Sequence, residues 1–299
     1  MASAPSASLS RHRVPVLDSH ISWLEAGQGA PVLLLHGNPT SALLWRNIIP
    51  FLAPLGRCIA PDLIGFGQSG RFAEGGDRAY GFGVQRDYLD AFIDTLALDQ
   101  PLTLVLHDWG SVLGFDWANR HRERVRAIAY MEAVVRPVAE ADLEPQTVEM
   151  FRVLRSAAGE QLILQENMYI EQALPATVLR PLTAAELDVH RGAFPEPGES
   201  RRAMLDLCRE VPFDGTPAEV WAAEQAYADW LAVSAVPKLF VNAEPGAFLV
   251  GDKRRFCRSW PNQEEVTVPG LHFVQEDAPE QIGAALAQWY SRLPVISKA

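Results

Sequence analysis

Short, wholly apolar runs alternate with amphipathic stretches along most of this chain. Residues 14–25 alternate loosely between apolar and polar side chains and end at Ala26-Gly27-Gln28-Gly29, which predicts a hairpin strand closed by a glycine turn. Pro31-Val32-Leu33-Leu34-Leu35 is apolar throughout, as suits a strand covered by helices on both faces. Runs of the same kind recur at 102–106 (LTLVL), 126–131 (RAIAYM) and 238–242 (KLFVN), with 264–268 as a last strand candidate. Between them, residues 84–96 place Tyr88, Leu89, Phe92, Ile93 and Leu96 on one helical face, and residues 281–293 predict a closing amphipathic helix. Strands alternating with helices predict an α/β fold built on a mostly parallel sheet.

The alternation stops after Arg136, where a long stretch keeps helical periodicity without strand runs. The expected organisation is a core of residues 1–135, an inserted helical cap of 136–213, and a core resumed over 214–299. Residues 1–10, rich in Ala and Ser, read as a frayed end.

Composition narrows the function. With 26 Lys and Arg against 37 Asp and Glu, the net charge of -11 would repel nucleic acid and anionic membrane surfaces, so a neutral small molecule is the expected partner. No apolar run is long enough to span a bilayer. Three cysteines at spacings unlike a zinc or redox pair suggest reduced thiols in cytoplasm, and the seven histidines form no ligand motif, so neither metal nor cofactor is called for.

In open parallel sheets ligands bind beyond the carboxyl ends of the strands. Asn38 follows the first parallel run, Asp108 and Trp109 the second, Glu132 ends the third, and His272 follows the last. The stretch Leu106-His107-Asp108-Trp109-Gly110-Ser111 leaves a strand and opens a helix, the setting of a nucleophile elbow, with Asp where serine is usual. An aspartate is ionised at neutral pH and needs no base to activate it. His272 is then free to deprotonate water in a second half-reaction, with Glu132 orienting its imidazole. The Trp109 indole and the Asn38 amide offer donors for a departing anion, and the backbone N–H groups of the same residues suit an oxyanion. Glu244, after the next core strand, is a rival for the acid. His36 and His107 read as loop-orienting residues, and the acidic pair Glu276 and Asp277 after His272 suits an exposed catalytic loop.

The motifs His36-Gly37-Asn38-Pro39-Thr40-Ser41, Pro61-Asp62-Leu63-Ile64-Gly65-Phe66-Gly67-Gln68-Ser69, His107-Asp108-Trp109-Gly110-Ser111, Met131-Glu132-Ala133 and Gly270-Leu271-His272-Phe273 together resemble the haloalkane dehalogenases of the α/β-hydrolase superfamily. The likeness is strongest to the branch that pairs an Asp-Glu-His triad with an Asn/Trp halide clamp, and within it to the dehalogenases of lindane degradation. It implies nucleophile Asp108, acid Glu132, base His272 and halide donors Asn38 and Trp109, acting on an apolar halogenated substrate with water and releasing halide. It also implies a pocket and tunnel lined by Leu143, Phe151, Tyr169, Thr177, Leu207, Cys208, Phe248 and Phe273. Leu207-Cys208 departs from the Trp-Pro pair expected there, which bears on substrate range.

Three other enzymes could share the scaffold. An epoxide hydrolase needs two phenols in the cap, for which Tyr169 and Tyr227 are the candidates. A fluoroacetate dehalogenase needs a cationic clamp, for which Arg136, Arg152 and Arg155 stand near enough. A cofactor-free luciferase is a further relative of the scaffold, and a non-catalytic receptor would have no use for an intact nucleophile, acid and base.

Overall fold

The computed structural model describes residues 8–72 and 79–294. The strands are β1 (Ser10–Val16), β2 (Ser19–Ala26), β3 (Pro31–Leu35), β4 (Arg57–Pro61), β5 (Leu102–Asp108), β6 (Val125–Ala133), β7 (Lys238–Pro245) and β8 (Gln263–Gly270). They form one sheet in the order β1-β2-β4-β3-β5-β6-β7-β8, antiparallel across β1, β2 and β4 and parallel from β4 to β8.

The wholly apolar runs are the interior of this sheet. All five residues of β3 are buried, and β5 and β6 are nearly so. Helices Phe82–Thr95, Trp109–Arg120, Ala218–Leu231 and Pro279–Arg292 supply the covering layers, with Trp109–Arg120 and Ala218–Leu231 packed against each other. Among the described residues no helix is long and apolar enough to cross a membrane.

Three details differ from the sequence reading. The stretch 14–25 is two strands, not one, because the chain reverses at Leu17-Asp18, where Leu17 takes φ +51° without a glycine. The expected frayed end lies outside the described residues up to position 7, and Ser10 already pairs with Glu25. Strand β4 has no counterpart in the sequence pattern because only Cys58-Ile59-Ala60 within it are apolar, a run too short to stand out.

Strand order creates the place for chemistry. From β3 the chain crosses to β4 on one side, and it then returns to lay β5 on the other, so the two directions of winding part between β3 and β5. A crevice opens at such a point beyond the carboxyl ends. The loop carrying Asn38 and the residue Asp108 stand on its two sides. Between β6 and β7 the described residues are helices and turns, with two wide π-helical turns at Glu160–Gln165 and Tyr169–Ala173.

Candidate active site

Asp108 ends β5 and precedes the Trp109–Arg120 helix with φ +49° and ψ −128°. A non-glycine residue in such a conformation stores on the order of 1–3 kcal/mol of strain, which the surrounding packing must hold. The tightness of the turn demands neighbours without side chains. A Cβ on Gly110 would lie 2.4 Å from the carbonyl oxygens of Leu35 and His36, and one on Gly37 would lie 2.1 Å from Asp108 Oδ1. Ser111 Oγ donates to the Asp108 carbonyl and accepts from the Val134 N–H at 2.9 Å, tying the elbow to the end of β6.

The two oxygens of Asp108 are used differently. Oδ1 accepts the Asn38 backbone N–H at 2.8 Å, while Oδ2 lies 3.4 Å from His272 Nε2. Burial alone would raise the Asp108 pKa. The bond and positive charge of His272, the proximity of His107 and the Trp109 N–H together outweigh burial and hold it below the usual carboxylate value.

Glu132 stands near the end of β6 with φ +41°, beside the register shift between β5 and β6 at His107/Asp108. Its side chain is 1% exposed and lies 3.4 Å from His272 Nδ1. Oε2 also accepts the N–H groups of Phe248 at 2.7 Å and Ala247 at 3.2 Å. Burial raises its pKa, but His272 and these two N–H groups prevail, so Glu132 remains a carboxylate. The rival Glu244 is exposed and bound to Arg254 at 2.9 Å, turned to other company.

His272 thus has a carboxylate on each ring nitrogen. Burial works to lower its pKa, yet Asp108 and Glu132 push it up to about 9. His107, buried beneath, is driven down to about 4, first by burial and then by the neighbouring His272 charge. As a neutral ring its Nε2–H donates to the His272 carbonyl at 2.9 Å. His36 Nδ1–H donates to the Gly37 carbonyl at 2.9 Å and Nε2 accepts from the Leu63 N–H at 3.0 Å. Both histidines hold loops, as the sequence suggests.

The sequence reading missed how the His272 loop is fixed. It took Glu276 and Asp277 for acids of an exposed loop, but Glu276 is 1% exposed. Its carboxylate takes both guanidinium arms of Arg46, at 2.6 and 2.8 Å, and faces His190 Nε2 at 3.0 Å. Asp277 accepts the N–H groups of Leu271 at 3.0 Å and Leu179 at 2.8 Å, and the Phe273 N–H donates to the Thr177 carbonyl at 3.2 Å. Residues 177–190 and the loop bearing His272 are therefore clamped together. Two acids after a histidine carry no periodicity to betray this; only the long-range partners do.

Of the halide-donor candidates, Trp109 is 6% exposed and opens its helix beside Asp108. Asn38 has less to offer than the sequence suggests, because Nδ2 already donates one hydrogen to the Met204 carbonyl at 2.9 Å. One N–H is left. The Asn38 Oδ1 is buried without a hydrogen-bond partner among the described residues.

The expected lining residues fall into groups. Phe273 and Phe248 meet the His272 ring edge-on at 4.8 and 6.4 Å. Leu207 and Cys208 are buried in the Arg202–Arg209 helix, and Cys208 Sγ accepts from the Tyr169 hydroxyl at 3.0 Å. Phe151 stacks on Phe213 at 5.6 Å. Thr177 Oγ1 donates to the Ala173 carbonyl at 2.7 Å. Leu143 is half-buried after the Glu140–Asp142 turn, and its N–H bonds to the Glu140 carbonyl of that turn at 3.1 Å.

The groups that rival chemistries would need are engaged elsewhere. The Tyr227 hydroxyl, the candidate second phenol, donates to the Val134 carbonyl at 2.7 Å. Arg136 binds Asp142, Arg152 binds Glu140, and Arg155 binds Asp214 together with the carbonyls of Val211 and Thr216.

An aspartate on a strained strand-to-helix turn, backed by a histidine held between two carboxylates, defines an α/β hydrolase of the aspartate-elbow kind. The family model for the α/β hydrolase fold matches residues 30–174. A haloalkane dehalogenase of Sphingobium indicum is 51% identical over 94% of this chain and 95% of its own length. One of Mycolicibacterium smegmatis is 46% identical over 90% and 87%. The crystal structure of a haloalkane dehalogenase from Bradyrhizobium elkani superposes with a TM-score of 0.88 at 41% identity, covering 96% of this chain and 99% of that one. A second, from Agrobacterium tumefaciens, gives 0.87 at 38% identity, with 96% and 98% covered. The chain belongs to the haloalkane dehalogenase family.

Proposed function

We propose that this protein hydrolyses the carbon–halogen bond of small apolar haloalkanes to alcohol, halide and a proton, through an alkyl ester on Asp108. The observation that carries the mechanism is the division of labour in the Asp108 carboxylate: Oδ1 is occupied by the Asn38 N–H and Oδ2 faces the His272 side of the site. Oδ2 attacks the halogen-bearing carbon and the halide leaves with the bonding pair. The remaining Asn38 amide N–H and the Trp109 indole N–H receive that anion, where exclusion of water strengthens each bond.

Water then adds to the ester carbonyl carbon, Cγ of Asp108, and charge collects on Oδ1, which the Asn38 backbone N–H already meets, with the Trp109 backbone N–H bonded to the same carboxyl group. His272 takes one proton of that water and Glu132 stabilises the resulting imidazolium; the Cγ–Oδ2 bond then breaks, the alcohol leaves with the proton that His272 returns, and the regenerated Asp108 carboxyl group releases the second proton of the water. Residues 136–213 act as the cap that keeps bulk water out, with the sequence-predicted lining residues forming its tunnel. Three free, buried cysteines favour a reducing compartment, in keeping with a cytoplasmic location.

The test is bromide and iodide release from 1,2-dibromoethane and 1-iodobutane, with styrene oxide turnover alongside and Asp108→Ala as the blank. Halide release that disappears in the variant is the expected result. Epoxide turnover without halide release would replace this reading.

A further inference from the structure

Two polar groups in the expected pocket wall have no part in the chemistry described above. Tyr169 opens a π-helical turn, a rare geometry that gathers at functional sites, and its hydroxyl donates to Cys208 Sγ at 3.0 Å. Cys208 lies four residues beyond Met204 in the Arg202–Arg209 helix, and the Met204 carbonyl holds the Asn38 amide at 2.9 Å. A helical carbonyl points toward the residue four positions on, so Cys208 stands one turn along from the carbonyl that holds the Asn38 amide. Both Tyr169 and Cys208 also feel the negative charge of Asp108.

A thiol is a weak acceptor, and the Tyr169 hydroxyl is therefore held by a partner that an oxygen atom can displace. We propose that Tyr169 and Cys208 form a neutral polar subsite that selects haloalkanes carrying an alcohol or ether oxygen further along the chain. Burial raises the Tyr169 pKa and pushes Cys208 up to about 11, so both groups stay uncharged and the subsite suits a neutral oxygen rather than an ion. This specificity rests on the dehalogenase reading and deepens it.

The experiment compares 4-bromobutan-1-ol with 1-bromopentane, which have the same number of heavy atoms, by the ratio of their kcat/KM values for bromide release. Tyr169→Phe should lower the alcohol-to-alkane ratio by roughly 2- to 10-fold, the worth of one net hydrogen bond. Cys208→Ala, which frees the phenol, should raise the ratio. Cys208→Ser, which gives the phenol a stronger partner, should lower it. A purely spatial role would move both Cys208 variants in the same direction, and that result, or a ratio unmoved by Tyr169→Phe, overturns the subsite. Absence of bromide release from 1-bromopentane by the unaltered protein would instead strike the dehalogenase reading on which the subsite rests.

Discussion

The base in ester hydrolysis must be neutral when water attacks, yet His272 in the free protein is pushed up to about 9 by Asp108 and Glu132. At pH 7 a group of that pKa is neutral in only about 1% of molecules. Ester formation should relieve this. It converts Asp108 from an anion to a neutral group and removes one of the two charges that hold the proton on His272, while the burial that favours the neutral ring remains. With only Glu132 left, His272 should titrate below 9 in the ester, and each tenfold gain in neutral ring is worth about 1.4 kcal/mol. Alkylation would thus switch on its own base. The sign follows directly: raising pH deprotonates His272 and speeds ester hydrolysis, and lowering pH slows it. Asp108, held below the usual carboxylate value, stays ionised throughout, so its attack on substrate should not follow the same curve. Rapid-quench measurement of 1-iodobutane turnover over about pH 5 to 10 separates the two steps. Iodide release in the first turnover should be flat above about pH 5, and ester hydrolysis should rise to a plateau with its midpoint below 9. Hydrolysis independent of pH, a midpoint still at about 9, or both steps titrating together would refute the reasoning.

Other expectations can be checked in the same preparation. Replacing Glu132 by Gln leaves the shape but removes the charge on Nδ1, and kcat should drop by up to about 10⁴-fold, as when a triad acid becomes an amide; a steady-state rate within a factor of ten of the unaltered protein would oppose that role. Asn38→Ala removes the side-chain donor while keeping the backbone N–H, so halide release in the first turnover should slow by about 10²- to 10³-fold with ester hydrolysis less affected, read by rapid quench. Gly37→Ala would drive a methyl group into Asp108 Oδ1 and should cost about 1–3 kcal/mol in urea unfolding as well as most of the activity. Glu276→Gln breaks the buried contact with Arg46 and His190 and should cost about 3–5 kcal/mol. Because Glu276 is lowered from 4.5 to about 2, against its burial, by His190 and Arg46, it contributes stability fully present above its unfolded pKa and lost as pH falls through the folded one. The stability gap between variant and unaltered protein should therefore narrow below about pH 4.5, as urea midpoints across that range would register.

How much was legible beforehand followed from how local each signal is. Strands β3, β5, β6 and β7 are apolar on both faces because helices cover them, and such runs stand out. Strand β4 has the same burial but is interrupted by Arg57 and Pro61, so its pattern is too short to read. Asp108, Glu132 and His272 are legible as candidates because each stands at or just beyond the end of a strand run, and the fold brings strand ends together whatever lies between. What the sequence concealed is long-range: the Met204 carbonyl that takes one hydrogen of Asn38, the Phe248 and Ala247 N–H groups on Glu132, and the clamp from Asp277 to Leu179. None has a spacing that repeats, and the helical segment that supplies two of them packs by side-chain fit rather than by periodic pairing. The mistaken exposure of Glu276 has the same origin, since its cation, Arg46, lies 230 residues away in the chain.

The most direct test of the ester on Asp108 is to trap it. His272→Ala protein, mixed with excess 1-bromobutane and examined by intact-protein mass spectrometry and peptide mapping, should gain one butyl group per chain, located on Asp108, with one equivalent of bromide released and no further turnover. Bromide release that continues without a butylated Asp108, or a butyl group found on another residue, would contradict the assignment of Asp108 as nucleophile and of His272 as the base that frees it.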